Sequence, residues 1–194
     1  MTLLDERPDV ARRAMIDSQL RVSGVNDPAV LAAFAKVARE DFVPAALKAS
    51  AYLDRAVPLD GGAALAAPLV HGRMLTEAAL QPGEAVLVIS DTGYLAALAK
   101  AMGGEVTLVS PADVAGKKKG GFSLILVDGA AEALPANLAG LLADDGRLVG
   151  GSVEKGITRL VTGRKAAGAI ALLPIAEIGM PVLSQFAAPK RWSF

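Results

Sequence analysis

The chain has 194 residues, with twenty Lys and Arg balanced by twenty Asp and Glu, one His and no Cys. One domain is expected at this length, with a core that needs no staples. The lack of Cys excludes disulfides and thiolate metal sites, and the zero net charge argues against charge-driven binding of nucleic acid or a membrane surface.

Helical spacing opens the chain. From Asp9 onward Val10, Ala14, Ile16 and Leu20 recur on one face, and Gly24 suits a C-terminal cap. Asp27 before Pro28 predicts an N-cap followed by proline at the first helical position, with Val30, Leu31, Phe34 and Val37 as the apolar stripe. Pro44 interrupts, a short helix over 45–51 follows, and 52–70 reads as irregular. After a helix over 70–80 and the turn Gln81-Pro82-Gly83, short apolar runs alternate with helical stretches, which predicts an α/β fold with a mostly parallel sheet. Strands are expected at 85–89, 105–109, 122–127 and 147–151, and helices at 92–102 and 134–143. Two further strands, 158–162 and 169–178, are joined by a turn over 163–168. Mean hydropathy is high at +0.42. Even so, the most apolar tract, 166–183, is broken by Gly168, Pro174, Glu177, Gly179 and Pro181, so it reads as strand and not as a membrane span. The first eight residues lack the basic and then apolar order of a secretory signal, so a cytoplasmic protein is expected.

In an open α/β sheet the ligand crevice lies beyond the carboxyl ends of the strands. Here the first strand, Val86-Leu87-Val88-Ile89, leads into Ser90-Asp91-Thr92-Gly93-Tyr94 and an alanine-rich helix. This resembles motif I of S-adenosylmethionine-dependent methyltransferases. Further strings make the resemblance specific to the protein-L-isoaspartate O-methyltransferase family: Met15 to Leu20, Val25 to Leu31, Arg39-Glu-Asp-Phe-Val-Pro44, Ala51-Tyr-Leu-Asp54, Ala63 to His71, Ser123 to Ala131 and Gly146 to Val149. The resemblance implies a Rossmann-like domain over 81–194 with a helical extension over 1–80 packed on it. It also implies transfer of a methyl group from S-adenosylmethionine to the isoaspartyl carboxylate of a damaged protein or peptide. Candidate cofactor contacts are then Ser90, Asp91, Thr92, Gly93, Tyr94, Asp128 and Gly129, and substrate-side candidates are Ala66, Pro68 and His71.

Three departures from the family pattern fall on these contacts. The glycine-rich turn is one residue shorter, with Ser90 and Asp91 where glycines belong and Val88 at an acidic position. The second strand ends in Ser110 and Pro111 instead of the carboxylate that would hold a ribose. Only eleven residues, Pro111 to Gly121, then lead to the next strand, too few for the helix and edge strand expected there. Finally, Ala66 lacks the hydroxyl that the family offers the substrate. The reading is therefore a divergent, internally shortened family member with weakened or lost S-adenosylmethionine binding. An active repair methyltransferase and a non-catalytic homodimeric interaction module stand as alternatives.

Each feature also has a plain structural reading. Thr92 is the helix N-cap, His71 is a structural or solvent-facing side chain in no metal cluster, and Asp128 divides evenly between a site residue and a cap for the next helix. Lys117 to Lys119 form a solvated turn, and Trp192 with Phe194 pack against the sheet.

Overall fold

A computed structural model describes residues 7–188 of the chain. Trp192 and Phe194 lie outside them. Helix α1 (Pro8–Met15) continues through a π turn, Ile16–Leu20, and a 3-10 turn, Arg21–Ser23, to Gly24. Gly24 takes φ 84°, the left-handed cap for which glycine carries no Cβ penalty. Helix α2 (Pro28–Lys36) starts as its sequence predicts, with Asp27 Oδ1 accepting from the amides of Ala29 and Val30 at 2.8 and 3.2 Å. Residues 52–70 are more ordered than expected, because Val57–Pro58 (β1) pairs antiparallel with Ala64–Leu65 (β2) around Gly61 and Gly62. Helix α3 (Pro68–Ala78) then carries His71.

Six strands form the main sheet: β3 (Ala85–Ile89), β4 (Glu105–Val109), β5 (Phe122–Ala131), β6 (Leu142–Glu154), β7 (Ile157–Ala166) and β8 (Ala169–Glu177). Their order is β4-β3-β5-β6-β7-β8, parallel from β4 through β6 and antiparallel thereafter. Helix α4 (Tyr94–Ala101) joins β3 to β4. Among the described residues β4 is the outermost strand on its side, as the short link after it requires. The link crosses β3 without a helix and makes only a 3-10 turn, Val114–Gly116, whose Val114 is fully buried.

The strand alternation builds two cores. Val86, Val88, Leu124, Leu126 and Val149 face a layer made by α1 to α4, in one cluster of buried residues running from Met15 to Met180. Leu87, Ile89, Ile125, Val127 and Leu148 face the other way, beneath Val114, Leu138, Leu141, Leu183 and Phe186.

Two further elements differ from expectation. The helix over 134–143 shrinks to α5 (Leu138–Leu141), because Leu142 turns extended to pair with Phe122 and β6 begins at once. The turn over 163–168 contracts to Ala167-Gly168, both at positive φ, the two-residue geometry that matches strand twist in a hairpin.

Candidate functional site

Register creates the site. Ile89 pairs with Val127 at the end of the parallel β3–β5 ladder, so the next residues, Ser90 just after β3 and Asp128 within β5, stand side by side. Period two turns both side chains to the helix-covered face, where α3 presents His71. Ser90 Oγ donates to Asp128 Oδ2 at 2.6 Å, His71 Nε2 lies 2.7 Å from Oδ1, and Thr92 Oγ1 reaches Oδ2 at 3.3 Å. Behind the imidazole sits Arg39, fully buried and held by three segments. Its Nε donates to the Ala51 carbonyl at 2.6 Å, one terminal nitrogen to the Ala66 carbonyl at 2.5 Å, and the other lies 3.4 Å from His71 Nδ1. The guanidinium also stands over the Tyr94 ring, 5.0 Å from its centroid, and Tyr94 packs edge-on against Phe34, Phe42 and His71.

The electrostatics follow from these contacts. Burial pushes the Asp128 carboxyl up, but its contacts with His71, Ser90 and Thr92 outweigh burial and hold it below the ordinary carboxylate range. Asp91, on the solvent side, is raised by partial burial and by the neighbouring Asp128 charge. Burial lowers Arg39, and it raises Tyr94, whose hydroxyl finds no hydrogen-bond partner among the described residues.

A crevice opens at this end of the sheet, lined by Gly61 to Ala64, Asp91, Thr92, Asp128 and the segment Pro181 to Gln185, with a free volume of about 30 Å³. That segment crosses the end of β5. The Ala130 amide donates to the Pro181 carbonyl at 2.8 Å, the Leu183 amide to the Ala130 carbonyl at 2.9 Å, and the amides of Glu132 and Ala133 to the Phe186 carbonyl. Gly129 makes this crossing possible. It sits at φ 148°, and a Cβ there would lie 2.8 Å from the Leu183 side chain and 2.9 Å from the Pro181 carbonyl.

The sequence-derived candidates therefore divide. Asp91, Thr92 and Asp128 line the crevice, while Ser90 and His71 are buried behind it as partners of Asp128. Tyr94 is a core aromatic, Gly93 and Gly129 contribute backbone geometry, and Pro68 opens α3 as its first residue. Ala66 acts through its carbonyl, which accepts from Arg39.

The structure corrects two expectations and decides between the alternatives of a third. Gly93, at φ 76°, occupies the N-cap of α4 in place of Thr92; Ser90 Oγ accepts from the amides of Thr92 and Gly93, and Thr92 Oγ1 accepts from the Tyr94 amide at 3.4 Å. Of the two plain readings of His71, structural or solvent-facing, the structure takes the structural one: the ring is buried and bridges a buried cation and a buried anion. Asp128 caps no helix, since β5 runs on to Ala131. Arg39, Gly61 to Ala64 and Pro181 to Gln185 were not among the sequence candidates. For Arg39 the local signal is the Arg39-Glu-Asp-Phe-Val-Pro44 string, in which nothing distinguishes a buried arginine from an exposed one.

Among the described residues no group of three or more His, Cys, Asp or Glu is placed to hold a metal ion, and no helix is long and apolar enough to cross a membrane. In comparison with known proteins, residues 11–115 match the family profile described as protein-L-isoaspartate(D-aspartate) O-methyltransferase. A protein-L-isoaspartate O-methyltransferase of Methylorubrum populi is 35% identical over 167 residues, which span 73% of this chain and 79% of the relative. One from Herpetosiphon aurantiacus is 44% identical over 88 residues, which span 45% of this chain and only 39% of that protein. Among solved structures, a putative protein-L-isoaspartate O-methyltransferase from Plasmodium falciparum, in complex with S-adenosyl-L-homocysteine, superposes with a TM-score of 0.74. It is 20% identical and the superposition covers 90% of this chain and 98% of that one, a likeness of fold that agrees with the mixed, mostly parallel sheet. With the profile covering more than half its length, from the helical extension through motif I to the link beyond β4, the chain belongs to the protein-L-isoaspartate(D-aspartate) O-methyltransferase family.

Proposed function

We propose that this chain is a family member in which S-adenosylmethionine binding and methyl transfer are weakened or lost. The observation that carries this reading is the filled crevice. Beside the turn after β3, where the family resemblance would put the methionine end of the cofactor, side chains of the Asp128 cluster and the crossing segment Pro181 to Gln185 leave about 30 Å³. Pockets for ligands of cofactor size measure about 300–1,000 Å³. The residues present do not fit S-adenosylmethionine: Ser90 stands where a glycine would let the backbone approach a ligand, Ser110 follows β4 in place of a ribose carboxylate and bonds to its own loop at Asp113, and β4 has no strand outside it to floor an adenine among the described residues. Methyl transfer is an in-line displacement in which alignment of donor and acceptor supplies most of the acceleration, so loss of binding elements is loss of activity. In this reading the chain is one cytoplasmic unit, the extension over 1–80 packed on a Rossmann-like domain over 81–194.

Calorimetric titration with S-adenosyl-L-homocysteine, paired with a methyl-transfer assay on an isoaspartyl peptide, tests it. Binding weaker than millimolar and no transfer are expected. Micromolar binding with turnover would replace this reading by the active repair enzyme, which the family match itself favours. A homodimeric interaction module is the second alternative, favoured by the half-exposed Leu108 on the edge of β4 that is unpaired among the described residues, and light scattering tests it.

A further inference from the structure

Arg39 is a fully buried cation with no carboxylate in direct contact among the described residues, and the Asp128 carboxylate lies on the far side of the His71 ring. A guanidinium has only N–H donors and no acceptor. The His71 Nδ1 facing it at 3.4 Å must therefore be the acceptor, which leaves the proton on Nε2, pointed at Asp128 Oδ1 at 2.7 Å. An imidazolium would set an N–H against the guanidinium N–H groups, and the other neutral tautomer would set a lone pair against a carboxylate. From Asp128 the chain of donors continues. Ser90 and Thr92 hydroxyls point at Oδ2, and Ser90 Oγ in turn accepts from the amides of Thr92 and Gly93, which form the strand-to-helix turn.

We infer that Arg39, on the helical extension, is the positioning residue of this site: it fixes His71 in the Nε2-protonated form and, through Asp128 and Ser90, locks the turn Ser90 to Gly93. This deepens the proposed function, because it names what replaces the conformational freedom of a glycine turn with a fixed polar network. It also gives the extension a role at the crevice, since the same guanidinium ties Ala51 and Ala66 to His71.

The chain has one histidine, so its imidazole nitrogens can be observed without assignment ambiguity. In a long-range proton–nitrogen correlation spectrum at neutral pH, the full chain should show Nδ1 with the shift of an unprotonated acceptor and Nε2 with that of a protonated nitrogen. A protonated Nδ1, alone or together with Nε2, would overturn the inference, and this measurement needs no variant. The second arm is Arg39→Lys, which keeps the charge but gathers its donors on one nitrogen, in place of the planar fork whose three nitrogens reach Ala51, Ala66 and His71 separately. Amide exchange in Ser90 to Gly93 should quicken about tenfold or more while the β6–β7 ladder keeps its wild-type rates. Unchanged exchange at the turn, or equal acceleration throughout, would reduce Arg39 to a general core residue. Ligand titration of the wild type decides the proposed function separately, because the tautomer is read in the free protein.

Discussion

The two faces of the sheet are built to different standards. One lies under α1 to α4 and shares a single buried cluster from Met15 to Met180, including Phe34, Leu95 and Tyr94 at full burial. The other is roofed by pieces: the link after β4, the single turn of α5 and the segment ending at Phe186. Such pieces hold by close backbone approach where a helix would use a stripe of side chains. Gly120 shows this, since a Cβ there would lie 2.6 Å from the Gly140 carbonyl, and the neighbouring Gly121 amide bonds to the Leu141 carbonyl at 2.9 Å. Because the segment Pro181 to Gln185 belongs to this second roof and also walls the crevice, the architecture of the thin face decides how much room the site has.

Substitutions can break this contrast. Phe34→Ala, in the helical core, should cost about 3–5 kcal/mol in denaturant unfolding, the range for deleting a fully buried aromatic. Gly129→Ala should cost about 1–3 kcal/mol by forcing a Cβ into Leu183 and the Pro181 carbonyl. Its signature is local, with exchange of the Ala130 and Leu183 amides rising before the rest of the sheet. Val114→Ala removes the equivalent of two methylenes from beneath the link and should cost about 1.6 kcal/mol. A cost as large as that of Phe34→Ala would mean that the thin face is as tightly packed as the thick one.

Acid unfolding sharpens the comparison further, with a smaller effect. Asp128 has a folded pKa below its unfolded value of about 3.9, so its contribution is complete above that value and is lost as pH falls through the lower folded one. Glu84 acts with the same sign through its Arg147 hydrogen bonds, as does Glu40, whose burial is outweighed by Tyr52 and Arg12. Asp91, raised by burial and Asp128, acts with the opposite sign. Stability should therefore fall on acidification below about pH 4. Asp128→Asn should flatten that slope, and an unchanged slope in the variant would assign it to Glu40 and Glu84.

Local signals determined much of this protein. Asp27 before Pro28, Gly24 after a helical stripe and the unbroken apolar run of β3 each act within a few residues of chain, so the sequence specifies them without knowledge of the fold. The family strings are likewise linear, and with them came Asp128, His71 and the turn at Ser90 as candidates. Tertiary structure alone decided what those residues do. His71 and Asp128 are 57 positions apart and meet only because the β3–β5 register and the placement of α3 bring them together. Arg39 is buried because Ala51, Ala66 and Tyr94 surround it, and the crevice closes because a segment some fifty residues after Gly129 returns to pair with Ala130. Caps and turns are satisfied by neighbours in the chain, whereas a buried charge is satisfied only by whatever the fold places beside it.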